Sequence, residues 1–151
     1  MKRTIFALAL ISLTLPAFGQ DVDPLIGAWK FNPAKSTSTR PLAKSITANI
    51  VREGQDIVNT HDGVDAQGQP FTLVMHQIYD GMLHPTTGSP NYDSSAFSRI
   101  GNTVNAVRFK NGKIVEVAQF IIDPGKSYSG HAEGVAANGQ PYHFYLWYDR
   151  Q

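Results

Sequence analysis

The chain has 151 residues, no cysteine, 13 basic against 12 acidic side chains, and 42% hydrophobic residues. Without cysteine there is no disulfide, thiol nucleophile or thiolate metal site, so stability must come from a packed core. No run of Lys or Arg could neutralise a row of phosphates, so nucleic-acid binding has no support.

Lys2 and Arg3 lead into Ile5–Leu15, which is apolar apart from Ser12 and Thr14, and Pro16 ends the run. Ala17 and Gly19 then stand at the two positions a signal peptidase reads. This is the pattern of a secretory signal peptide over residues 1–19. The apolar run is too short for a membrane span, which needs about 20 residues, and no cysteine follows to carry a lipid. Cleavage after Gly19 leaves one domain, residues 20–151, with 11 basic and 12 acidic side chains. The expectation is an exported protein, periplasmic or extracellular in a bacterium, with no membrane insertion after cleavage.

Gly27–Phe31 reads as a first strand, with Trp29 and Phe31 on one face and Ala28 and Lys30 on the other. Asn32-Pro33 suits a helix start, so one helical turn is expected over Pro33–Ser36. Ser36–Arg40 reads as a loop. From Lys44 onward no helical period is found, only alternating runs separated by turn signals. Ile46, Ala48 and Ile50 share one strand face, and Ile57–Val64 and Phe71–Tyr79 read as the next strands. Pro85–Tyr92 reads as a long loop. Gly101-Asn102, Asn111-Gly112 and Asp123-Pro124-Gly125-Lys126 are turn sequences. They divide the remainder into strands near 82–85, 94–100, 103–110, 113–122, 127–134 and 141–149, about ten in all.

One segment occurs twice. Gly63-Val64-Asp65-Ala66-Gln67-Gly68-Gln69-Pro70-Phe71 returns as Gly134-Val135-Ala136-Ala137-Asn138-Gly139-Gln140-Pro141-Tyr142, with six of nine positions identical. Each copy reads as strand, tight turn, strand, and turn geometry accounts for the glycines and prolines. The repeat aligns two hairpins 71 positions apart and suggests two similar half-barrels. A meander of eight to ten strands closes readily, which removes its open edges.

Gly27-x-Trp29 on the first strand, the meander, and the terminal basic Arg150 resemble lipocalins and the wider calycin group. Further elements make the chain similar to small secreted bacterial lipocalin-like proteins. These are Asn32-Pro33-Ala34-Lys35-Ser36, Tyr79-Asp80-Gly81, the His84-Pro85 to Pro90-Asn91 loop, and Gly134 to Pro141. The resemblance implies an all-β fold, an up-and-down antiparallel meander closed into a lipocalin-like barrel of about eight to ten strands. It implies structural roles for Trp29, closing one end, and Arg150, stacked on it. The Thr-Asp-Tyr element of typical lipocalins is missing, and the sequence stops at Gln151 where those proteins continue into a helix.

Strand alternation divides the candidate chemistry into two sets. Tyr142, Phe144, Leu146 and Tyr148 oppose His143, Tyr145, Trp147 and Asp149, and Phe71, Leu73 and Met75 oppose Thr72, Val74 and His76. Both sets on the last strand are aromatic, so the pattern leaves open which one faces the lumen. Phe71, Met75, His76, His143, Tyr145 and Trp147 are taken as the ligand-binding lining. The expected ligand is a small apolar or aromatic molecule with a few polar anchors. His76 and His143 are the candidate catalytic acid–base groups for an alternative reading as an isomerase, cyclase or hydratase. A third reading is a structural or envelope-interaction protein with a packed lumen. His61, His76, His84, His131 and His143 show no metal-ligand spacing, so no metal and no cofactor are expected. His84 reads as a loop residue, Ser94, Ser95 and Ser98 as strand-edge hydroxyls, and His131 with Glu133 as a pair on one strand face.

Overall fold

The computed structural model describes residues 23–136 and 138–151. The expected signal peptide, residues 1–19, lies outside the described residues. Among the described residues eleven strands follow in chain order: β1 (Gly27–Phe31), β2 (Thr37–Ser38), β3 (Ser45–Glu53), β4 (Asp56–Val64), β5 (Pro70–His76), β6 (Leu83–Thr87), β7 (Ser94–Ile100), β8 (Thr103–Lys110), β9 (Lys113–Asp123), β10 (Ser127–Val135) and β11 (Pro141–Arg150). From β3 to β11 each strand pairs antiparallel with the next. β1 pairs with both β3 and β11, which closes a ten-stranded up-and-down barrel. The thinnest seam is β5–β6, where only Val74↔Thr87 and Met75↔Thr86 are in register.

The alternating sequence becomes alternating burial. On β3, Ile46, Ala48 and Ile50 are buried while Ser45, Thr47 and Asn49 are exposed. The turns form where their glycines permit positive φ. Gly68 (φ 91°) and Gly139 (φ 80°) occupy matching places in the two repeated hairpins. There Gly68 N–H donates to Asp65 O and Gly139 N–H to Ala136 O.

Three boundaries differ from the sequence reading. Ser36–Arg40 is not simply a loop, because Thr37 and Ser38 pair with Tyr145 and Phe144. Between β1 and β2 a single 3-10 turn, Pro33–Lys35, is capped by the Asn32 side chain. Ser36 Oγ donates to Asn32 O and accepts from Trp147 N–H, so the excursion stays on the β11 edge. The segment Pro85–Tyr92 begins in β6, and the strand beginning at Phe71 ends at His76 rather than Tyr79.

A second correction concerns the repeat. Gly63 lies opposite Phe71, and Gly134 opposite Tyr142, in strand register rather than in the turns. A Cβ on Gly63 would overlap Ser45 O and the Phe71 ring, and one on Gly134 would overlap Val115 O and the Tyr142 ring. Each copy therefore uses its first glycine to seat an aromatic ring against the strand.

One end of the barrel is plugged. Trp29 is 0% exposed, donates from Nε1 to Leu25 O at 2.8 Å, and meets Tyr128 edge-on at 5.1 Å. Arg150 Cζ lies 4.6 Å from the Trp29 ring centre, and its guanidinium fills the space a Cβ on Gly27 would occupy. The arm before β1 is fixed there by an ion pair between Asp23 and Arg99 and by the Tyr79 hydroxyl donating to Asp23. Burial and Asp23 push the Tyr79 hydroxyl up to about 12, so it remains a donor at neutral pH.

Candidate functional site

An eight-stranded barrel is either filled by its own side chains or holds one small ligand, and added strands widen it. Ten strands here leave a cavity of about 190 Å³ in the lumen. A void of about 150 Å³ already admits benzene. The walls are mainly apolar: Phe71, Leu73, Met75, Val104, Phe120, Phe144 and Leu146 all contribute. A second, more open hollow of about 290 Å³ shares Phe71, Leu73, Tyr92, Arg108 and Phe144 with the first and is also lined by Arg40, Asp65 and Ser89. The hollow forms the mouth, opposite the Trp29 plug.

Arg108 is the buried charge of the lumen. It is 5% exposed and forms an ion pair with Glu116, itself 3% exposed. A bulge puts them together. Phe109 pairs with Ile114 but Arg108 with Glu116, so Val115 is the extra residue on β9. This one-residue insertion turns Glu116 onto the inner face, where Arg108 already points. The other carboxylate oxygen of Glu116 accepts from the Tyr142 hydroxyl. Arg40 Cζ lies 3.7 Å over the Tyr142 ring on the mouth side. Burial opposes charge on Arg108, but Tyr92 and Glu116 outweigh it and hold its pKa above the ordinary arginine range. Burial and the bond to Glu116 likewise raise Tyr142.

Deeper in the lumen, Tyr128 stacks on Tyr148 at 4.5 Å, and His61 lies 5.7 Å from the same Tyr148 ring. Burial, then the charge of Arg108, pulls His61 down from 6.5 to about 4, against the opposing pull of Asp62. It is neutral at neutral pH. Arg108 Nε, His61 Nε2 and Tyr128 Oη are buried without a hydrogen-bond partner among the described residues. Most buried polar atoms are paired, and unpaired ones cost free energy. Three such atoms in the wall of one cavity are a concentrated polar site in an apolar chamber.

The His61 shift has a consequence for stability. The unfolded chain takes up the proton near 6.5 and the folded one only near about 4. Between these values the unfolded state binds more protons, so stability is lost as pH falls through that window and is retained above it. Urea unfolding of the wild type and of His61→Leu at pH 7 and pH 4.5 should show a smaller acid loss in the variant. An equal loss in both would contradict the assignment.

Of the residues taken from the sequence as lining, Phe71 and Met75 face the cavity. His76, His143, Tyr145 and Trp147 do not, because β11 and β5 turn the opposite faces inward. His76 Nδ1 lies 2.5 Å from Asp56 Oδ2 in a partly exposed pair outside the lumen. His143 is exposed, and its backbone is bonded to Thr39. Tyr145 is 36% exposed. Trp147 carries Lys35 4.9 Å over its ring and donates from Nε1 to Asp149, so the 3-10 turn covers this outer aromatic face. An acid–base role inside the lumen for His76 or His143 is therefore overturned by placement.

Smaller corrections follow. His84 is in β6 and bonds Asp80, whose carboxyl is held below its usual range by that bond. Ser95 is fully buried and bonded to Thr86 Oγ1 rather than lying at an edge. His131 and Glu133 are both exposed on the outer face. Among the described residues, no cluster of three or more His, Asp or Glu is placed to hold a metal, and no helix is long and apolar enough to cross a membrane.

No family model and no curated protein matches the chain. Among solved structures, Rv2717c from M. tuberculosis superposes with a TM-score of 0.56 at 15% identity, over 85% of this chain and 93% of that one. The fold is a lipocalin-like β-barrel. Apocrustacyanin C2 and lobster apocrustacyanin A1 are similar at a TM-score of 0.43, with 13% and 14% identity. The match covers 85% of this lipocalin-like barrel and 61% of each apocrustacyanin chain.

Proposed function

We propose that the protein is an exported binding protein for a small apolar or aromatic molecule, held in the barrel lumen. The observation that carries this reading is the apolar cavity of about 190 Å³, open toward a mouth and closed at the other end by Trp29. Its volume and walls suit a compact ring system rather than a long chain. A packed, purely structural lumen would not leave such a chamber. Export rests on the sequence pattern of residues 1–19 and a periplasmic or extracellular destination on its cleavage.

Titration with 2-naphthol, whose fluorescence responds to an apolar environment, tests the reading. The expected result is a saturable one-to-one signal. His76→Ala and His143→Ala should leave the affinity within about twofold, since both side chains face outward. A signal that never saturates, or one lost in either variant with the fold intact, would count against lumen binding.

A further inference from the structure

We infer that the lumen selects a compact aromatic molecule bearing a neutral hydrogen-bond acceptor, a ketone, aldehyde or quinone carbonyl, which Arg108 Nε and Tyr128 Oη bind together. The inference rests on the proposed lumen binding and adds the chemical class of the ligand.

The donors are unequal. Arg108 Nε–H can only donate, so the partner it lacks is an acceptor. Tyr128 Oη can donate or accept, and burial holds its pKa well above the ordinary value, so its proton is present to be donated. His61 Nε2 adapts through its tautomer. All three residues line the same cavity with Tyr148 between two of them. An acceptor on the ligand therefore satisfies an otherwise unpaired obligate donor, which an apolar ring alone would leave bare.

Charge decides between a carbonyl and a carboxylate. The charge of Arg108 is already matched inside the lumen by Glu116, whose second oxygen is occupied by Tyr142. A ligand anion would add a second negative charge to a buried, mainly apolar chamber whose lining includes one cationic side chain, Arg108. With Nη1 on Glu116 and Nη2 against Met75 Sδ at 3.9 Å, Nε–H is the Arg108 donor left to serve a neutral acceptor without that penalty. At the mouth Arg40 lies over Tyr142 rather than in the inner cavity, so it leaves the charge balance of the inner wall unchanged.

Calorimetric titration with three probes of nearly equal shape tests this: indane, 1-indanone and indane-1-carboxylate. The expected order has 1-indanone at least tenfold tighter than either of the others. In Tyr128→Phe, which keeps the stacked ring and removes only Oη, the ketone preference should fall at least threefold while indane is unchanged. In Arg108→Met/Glu116→Gln, which removes both charges at similar volume, the preference should vanish. Indane binding as tightly as 1-indanone would overturn the carbonyl anchor and leave lumen binding standing. Tightest binding of the carboxylate would overturn the neutral-acceptor assignment. Failure of all three to bind would overturn lumen binding itself and the anchor with it.

Discussion

Glu116→Gln, which changes one atom, is expected to destabilise the protein by about 3–5 kcal/mol, as is Arg108→Met. Each leaves one charge in a lumen where its partner was the main compensation. The ions are 5% and 3% exposed, so water cannot take the partner's place. The double variant Arg108→Met/Glu116→Gln should recover most of that loss. It removes both charges, keeps an amide oxygen to accept from Tyr142, and fills the arginine's space with an apolar chain. Urea midpoints with unchanged slopes measure all three. Single losses that simply add in the double variant would mean the pair is not coupled.

Trp29→Ala carries the second large effect, about 3–5 kcal/mol. The ring is wholly buried, its Nε1 proton is bonded to Leu25 O, Tyr128 packs on its edge, and Arg150 lies over its face. Its removal opens a void at the end of the barrel and loosens the Asp23–Ile26 arm. Tyr145→Ala on the outer face should cost less than about 1 kcal/mol, as surface truncations do. Two large aromatics thus separate a plug from a surface residue in one urea series. A Trp29→Ala cost as small as that of Tyr145→Ala would show that the arm and Arg150 close the end without the indole.

The strands were legible in the sequence because their signals are local. Alternation and a two-residue turn at Asn111-Gly112 place β8 at Thr103–Lys110, and only a boundary shift of one residue separates expectation from structure in β9. The orientation of the faces was not legible. On β11 both alternating sets are aromatic, and what turns Trp147 outward is the 3-10 turn that brings Lys35 and Ser36 onto that face. Arg108 and Glu116 were open to notice, being opposite charges flanking one hairpin turn in otherwise apolar phases. Regular pairing from Lys110↔Lys113 would set Arg108 against Val115, however, and Glu116 on the other face. The bulge at Val115 corrects the phase, and a bulge without glycine leaves no plain mark in sequence. His61, Tyr128 and Arg108 come from separate strands, so their meeting at one cavity depended on closure of the barrel. The seating glycines Gly63 and Gly134 were the missed clue, because each marks the face on which Phe71 or Tyr142 points inward.

The 2-naphthol titration repeated on Leu146→Trp is the most direct trial of a ligand-holding lumen. Leu146 lines the inner cavity and not the outer face, so the larger side chain occupies the chamber without touching Tyr145 or Trp147. Loss of saturable binding, with the barrel still folded by circular dichroism, is the expected outcome. Undiminished binding in that variant would place the ligand elsewhere and contradict it.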